Sequence, residues 1–145
     1  MSMLRRIRGE SVGTESWTAE AMEAAWVKSL INQFGLERTL SHGDQTHLAT
    51  YVWDMGRALA EVSRVLRAGG RAVYVVGEST LRGTFVRNSA IIAALGEVQG
   101  LKLHSRYSRV LPDNRRYLPP PKRWARKQTM DARMRREVVL VFNKP

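Results

Sequence analysis

The sequence predicts an α/β fold, a thin sheet of about three strands with helices flanking it. Three observations carry that expectation. Apolar residues recur at spacings of four and three through residues 48–66, the signature of a long amphipathic helix. A β-branched run, RAVYVV at 71–76, follows directly on a glycine pair. A second such run, EVVLVF, occupies 137–142. Both are too apolar for strands facing water, and the first reads as a buried strand of the parallel kind.

Residues 1–15 are basic, glycine-containing and aperiodic, an entering arm. A helix is expected over 16–35. Ser16 or Thr18 can cap it, Met22, Trp26, Leu30 and Phe34 make one apolar stripe, and Gly35 supplies a left-handed stop. The polar turn SHGDQ (41–45) leads into the helix carrying Leu48, Val52, Met55, Leu59, Val62 and Leu66, which ends at Ala68-Gly69-Gly70. Trp17, Trp26 and Trp53 read as core. Strand 71–76 stops at Gly77-Glu78-Ser79, and TLRG (80–83) reads as a loop. A helix over 84–98 follows, with Thr84 as cap and Ile91, Ile92 and Leu95 inward. LKLHSRY alternates from Leu101 with the period of a strand. The stretch PDNRRYLPPPKRW (112–124) holds four prolines, which lack amide donors and exclude regular structure. A short basic helix is expected over 129–135, then strand 137–142. The whole of 1–145 reads as one segment, its α/β core spanning 47–142 with a basic insert at 109–136. The two leading helices have nothing upstream to cover, and the apolar strands lack neighbours. The pattern is that of half a domain.

Composition narrows the function. Hydrophobic residues at 43% and charged residues at 26% suit a globular chain. The absence of cysteine excludes disulfides, thiolate metal sites and cysteine nucleophiles. No apolar run reaches the roughly 20 residues of a membrane span, and MSMLRRIRGESVG lacks the apolar stretch of a secretory signal. A cytoplasmic protein with no membrane partner is expected. His42, His47 and His104 show no metal-ligand spacing, so no metal site is expected, and Asp54 has no partner carboxylate that would give it a catalytic role. The net charge of +11 favours a polyanionic partner. Twelve of the 24 lysines and arginines fall between Lys102 and Arg136, against only Asp113 and Asp131. The charge is a patch, and the partner it implies is nucleic acid.

The segment Tyr51 to Gly77, with Arg64-Val65-Leu66-Arg67-Ala68-Gly69-Gly70 before a hydrophobic strand, resembles the fourth-helix-to-fifth-strand unit of class I, Rossmann-like S-adenosylmethionine-dependent methyltransferases. Arg8-Gly9-Glu10-Ser11-Val12-Gly13-Thr14-Glu15 is similar to the linker that follows the catalytic segment in DNA amino-methyltransferases of the N-4 cytosine and N-6 adenine type. Val76-Gly77-Glu78-Ser79 resembles their strand end. Arg109-Val110-Leu111-Pro112 through Pro120, with Met134 through Leu140, resembles their closing strand pair and its insert. The resemblance implies the carboxy-terminal half of such an enzyme: a partial methyltransferase sheet of about three strands, its last pair antiparallel. It implies S-adenosylmethionine in the complete enzyme and DNA, more than RNA, as partner. The glycine-rich turn, the acidic residue and the P-P-Y segment that hold cofactor and target amine in that family have no match here; Pro119-Pro120-Pro121 runs into Lys122. No catalytic or cofactor-binding residue is therefore expected, nor activity or cofactor binding by this chain alone. The missing half is lost or is a separate polypeptide; that polypeptide, or a second copy of this chain, would cover the open sheet edge. A non-catalytic basic nucleic-acid-binding module, or a subunit of a split methyltransferase, remains the alternative.

Two groups of residues become candidates. Gly77, Glu78 and Ser79, beyond the carboxyl end of a strand, are either the wall of a substrate pocket or an ordinary strand-ending turn. Arg109, Arg115, Arg116, Lys122, Arg123, Arg126 and Lys127 are placed to neutralise phosphates, with Tyr117 and Trp124 among them to stack on an unpaired base. The alternative for these is a solvated loop.

Overall fold

The structure, a computed structural model, describes residues 19–111 and 136–145, with the side chains of Ala19 and Met22 left out. The arm 1–15, the caps Ser16 and Thr18, Trp17 and the 129–135 helix lie outside the described residues. The chain divides into two compact units, residues 1–65 and 66–145.

In the first unit the expected 16–35 helix is two helices, α1 (Ala19–Glu23) and α2 (Ala25–Gln33). They part at Ala24, whose ψ of 112° is extended; nothing in its residue type explains the break. Val27, Leu30 and Ile31 are buried, whereas Trp26 is 39% exposed, so the core stripe is displaced by one position from the one the spacing suggested. Trp26 stacks on Trp53 with ring centroids 5.6 Å apart and lies over Gly56, where a Cβ would come within 2.7 Å of its ring. Gly35 closes the segment at φ +67°, as expected of a left-handed stop.

The long helix α3 runs His42–Val65. SHGDQ is therefore its first turn and not a separating loop. The Asp44 amide donates to Ser41 Oγ at 3.3 Å, and Ser41 Oγ donates to Asp44 Oδ2 at 2.6 Å, a cap of the serine-x-x-acid kind. Leu48, Val52 and Leu59 are buried on its core stripe.

The second unit opens with a tight turn. The Gly70 amide donates to Arg67 O at 2.9 Å, and Gly69 has φ +73°. Gly70 is required for a different reason: a Cβ there would lie 2.8 Å from both Arg67 O and Leu66 Cγ. The chain then enters β1 (Arg71–Gly77), forms the hairpin β2 (Ser79–Leu81) and β3 (Thr84–Val86), and continues through α4 (Asn88–Val98), β4 (Lys102–Val110) and β5 (Arg136–Asn143). Of the expected TLRG loop, Thr80 and Leu81 belong to β2 and Arg82-Gly83 form the turn of that hairpin. Arg82 and Gly83 both take positive φ, +43° and +97°, matching the right-handed strand twist as a mirror-image turn does. The hairpin uses residues 84–86, so α4 starts at Asn88 and not at Thr84.

The three-stranded sheet has the order β1-β5-β4, with both pairings antiparallel. The antiparallel closing pair is as expected. The parallel, fully buried reading of 71–76 needs correction: β1 pairs antiparallel with β5, and its burial alternates. Ala72 and Val76 are buried, while Val73 and Val75 are 60% and 53% exposed. β1 and β4, both antiparallel to β5, run in the same direction. α4 packs on the face carrying Ala72, Tyr74, Val76, Val138, Leu140 and Phe142, and contributes Ile91, Ile92 and Leu95. Burying each such aliphatic or aromatic side chain stabilises the unit by about 1.5–3 kcal/mol. Phe142, fully buried, lies against Gly96 of α4 and meets Tyr74 edge-on, with centroids 5.9 Å apart.

Candidate nucleic-acid interface

The strand register brings Gly77, of the first group of candidates, and Arg109, of the second, to one end of the sheet. Gly77 at the end of β1 stands opposite Glu137 at the start of β5, and Glu137 stands opposite Arg109 near the end of β4. With strands about 4.8 Å apart, Gly77 and Arg109 are separated by about 10 Å across that row. The insert leaves the sheet just past Val110 and returns at Arg136, its partner in the last β4–β5 pair.

Gly77, Glu78 and Ser79 are held by the start of α4 and by β4. Asn88 Nδ2 donates to Gly77 O at 3.0 Å, and Ser79 Oγ donates to Asn88 Oδ1 at 3.4 Å. The Ser89 amide donates to Glu78 Oε2 at 3.2 Å, and Ser89 Oγ donates to Glu78 Oε1. Arg106 Nη2 donates in turn to Ser89 Oγ at 2.7 Å and lies 4.0 Å from Glu78 Oε1. A carboxylate at a helix amino terminus accepts otherwise unsatisfied amides and opposes the positive end of the dipole. Glu78 is thus neither solvated nor free; its side chain, 17% exposed, fixes the turn that follows β1. Ser89 is fully buried. Sequence reasoning passed over Asn88, Ser89 and Arg106. The polar Asn-Ser pair opening an apolar helix was a visible signal, but its partner lies eleven residues upstream, out of reach of local spacing.

Of the basic candidates, Arg109 is among the described residues. Its guanidinium grips Glu137 through Nε at 2.9 Å and Nη2 at 2.7 Å, both to Oε2. It acts first as a clasp at the base of the insert, with its charge largely matched, although 56% of its side chain remains exposed. Arg115, Arg116, Tyr117, Lys122, Arg123, Trp124, Arg126 and Lys127 lie outside the described residues.

Solved structures of one protein are similar in fold to this chain. A candidate DNA modification methylase from Thermus thermophilus, complexed with S-adenosyl-L-methionine, superposes with a TM-score of 0.52 over 73% of this chain and 42% of its own, at 20% identity. The fold is shared. The selenomethionine derivative of that protein matches 66% of this chain and 37% of its own, at 22% identity and a TM-score of 0.47. This chain spans about two-fifths of the length of the methylase complex it matches. No family model and no curated protein matches the sequence. The α/β class expected from the sequence, a sheet of about three strands with an antiparallel last pair and flanking helices, is the one observed.

The described residues do not by themselves fit S-adenosylmethionine. The positive-φ glycines 69 and 100 lie at the opposite end of the sheet from Gly77, and the two carboxylates beside Gly77 are committed, Glu78 to Ser89 and Glu137 to Arg109. No helix among the described residues is long and apolar enough to cross a membrane.

Proposed function

We propose that this chain is the carboxy-terminal portion of an S-adenosylmethionine-dependent methyltransferase acting on nucleic acid, with an exocyclic amine of adenine or cytosine in DNA as target. The observation that carries the reading is the shared row of Gly77, Glu137 and Arg109: the candidate pocket wall and the root of the basic insert sit side by side on one sheet end. The partial methyltransferase fold and the family-like segments of the sequence supply the reaction class. Under this reading the cofactor, when bound, supplies the methyl group and is held by the amino half. This chain supplies a stiff turn at Gly77–Ser79, set by Ser89 and Arg106, and a cationic arm that holds the duplex. Tyr117 and Trp124 of that arm stack on the exposed base or its neighbour, which offsets an extrusion cost of a few kcal/mol.

The chain alone is inactive under this reading. Val73 and Val75 leave an apolar strip on β1, and among the described residues the outer edge of β1 has no strand partner. An amino-half polypeptide, or a second copy of this chain, completes it. A titration of fluorescent DNA duplex against salt tests the reading. Log K should fall steeply with log salt, at about −0.9 per phosphate contacted. Reversing Arg115, Arg116, Lys122 and Arg123 to glutamate should flatten it. A flat dependence in the unaltered protein removes the nucleic-acid assignment. The absence of the cofactor motifs favours one other reading, a non-catalytic nucleic-acid-binding module. Duplex binding that no amino-half methyltransferase polypeptide alters, with no methyl transfer in the mixture, would select it.

A further inference from the structure

The opposite end of the same sheet carries a second basic feature. There the register aligns Arg71 at the start of β1, Asn143 at the end of β5 and Lys102 at the start of β4 in one row. A cleft of about 590 Å³ opens at this row, lined by these three residues together with His104, Lys144 and Gly69 among others, and its lining contains no acidic side chain. Its frame is tied down: the Gly69 amide donates to Lys144 O, and the Lys144 amide donates to Gly70 O, both at 2.9 Å.

Two details set the cleft apart from an incidental run of surface lysines. β4 is irregular at this point, its register shifting between Leu103 and Ser105, so His104 is the extra residue of a bulge. Bulges re-aim side chains, and this one adds an imidazole to the cleft beside Arg71, Lys102, Asn143 and Lys144. Asn143 Oδ1, at the centre of the row, is buried with no hydrogen-bond partner among the described residues. Buried polar groups are nearly always paired, and this orphan is an acceptor, completed by a donor such as an ordered water or the P–OH of a protonated phosphate. Arg71 and Lys102 make no ion pair among the described residues. Two cations about 10 Å apart across three strands, with no acidic side chain in the lining, concentrate positive potential in a concave site.

From this juxtaposition we infer that the Arg71–Asn143–Lys102 cleft is a phosphate-binding site, separate from the insert. β1 spans seven residues, so the two basic regions stand about 20 Å apart along it. Arg71 supplies a planar fork for two phosphate oxygens, and Lys102 supplies a point charge. The phosphate can belong to a free anion or nucleotide, or to a nucleic-acid backbone that reaches past the insert.

Amide chemical shifts of the full chain, followed while inorganic phosphate replaces chloride at constant ionic strength, test this. Saturable shifts confined to Arg71, Lys102, His104, Asn143 and Lys144 are expected. In Arg71→Ala/Lys102→Ala the apparent affinity should fall about tenfold or more, as expected when charge-assisted contacts are lost. The glutamate-substituted insert should leave these shifts intact, which separates failure here from failure of the duplex reading. A second arm adds DNA duplex to the substituted-insert protein. Shifts at the same residues assign the site to a nucleic-acid backbone, and shifts with phosphate or a nucleoside monophosphate alone assign it to a free ligand. Shifts spread over the whole surface, or equal in the double variant, overturn the inference. Both alanines replace exposed side chains, and an unchanged melting curve for the variant confirms that folding is retained.

Discussion

Gly96 offers the sharpest test of how the sheet unit is held together. A glycine inside a helix ordinarily costs about 1 kcal/mol relative to alanine, so Gly96→Ala on an open helix face would stabilise by that amount. Here the added Cβ would stand 2.5 Å from Phe142 Cε1, 2.9 Å from Cζ and 3.1 Å from Cδ1. Carbon atoms prefer separations of about 3.5–4.0 Å, so the ring would have to withdraw by roughly an ångström. It has nowhere to go, because Phe142 is fully buried and Tyr74 abuts it edge-on. Overpacking of this kind costs about 1–3 kcal/mol, and a clash with three atoms of a fixed ring belongs in the upper half of that range. Subtracting the helix-propensity gain leaves a net destabilisation of about 1–2 kcal/mol. Urea titration gives the global value, and native-state exchange of the β5 amides reads the sheet unit by itself. Adding Phe142→Leu to Gly96→Ala should relieve the clash, giving a favourable coupling within the 0.5–3 kcal/mol range seen for contacting residues, roughly 1 kcal/mol or more. Stabilisation by Gly96→Ala, or no coupling to Phe142→Leu, would refute the packing described for α4 on β5.

Further outcomes follow from the same geometry. Ser89→Ala removes the hydroxyl between Glu78 and Arg106; thermal denaturation should show a loss of about 1–3 kcal/mol, and Ser89→Thr a smaller one if the hydroxyl matters and not the volume. Glu137→Gln unmatches Arg109; stability should change by no more than about 1 kcal/mol, while duplex affinity rises and the salt slope steepens toward one more phosphate contact. An unchanged slope would confine Arg109 to its role as a clasp. Burial raises the Tyr74 hydroxyl above its ordinary value. A group with a raised folded-state pKa contributes stability that is complete below the unfolded value, near 10, and is lost as pH climbs through the folded value. Melting temperature should therefore fall more steeply above pH 10 in the unaltered protein than in Tyr74→Phe, and parallel curves would contradict this.

Most of the fold was legible because its signals are local. The stripe Leu48-Val52-Leu59, the double glycine at 69–70 and the two β-branched runs each specify an element within a window of ten or so residues. The misreadings arose where two local patterns compete or where pairing is distant. Ser41-x-x-Asp44 looks like a turn until its side chains are seen to cap α3. Arg82-Gly83 looks like a loop, and only the pairing of Ser79 with Val86 makes it a hairpin. RAVYVV suggested a parallel neighbour because composition reports apolarity, not strand direction; the partner that sets direction, β5, is some sixty residues away. The candidate site was legible as two separate features, a strand end and a charge patch. That Gly77 and Arg109 share one end of the sheet depends on the β1-β5-β4 order and register, which no spacing encodes. The cleft at Arg71 and Lys102 was illegible for the same reason.

Amide exchange along β1 bears most directly on whether these strands belong to a larger sheet. One side of β1 bonds to β5, and among the described residues the other has no strand partner. In the purified monomer, every second β1 amide should exchange nearly as fast as in an unstructured peptide, while β5 amides remain protected, and adding a completing amino-half chain should slow the fast set. Uniform protection of all β1 amides in a dilute monomer would mean that the sheet is already finished, and the methyltransferase-portion reading would then be wrong.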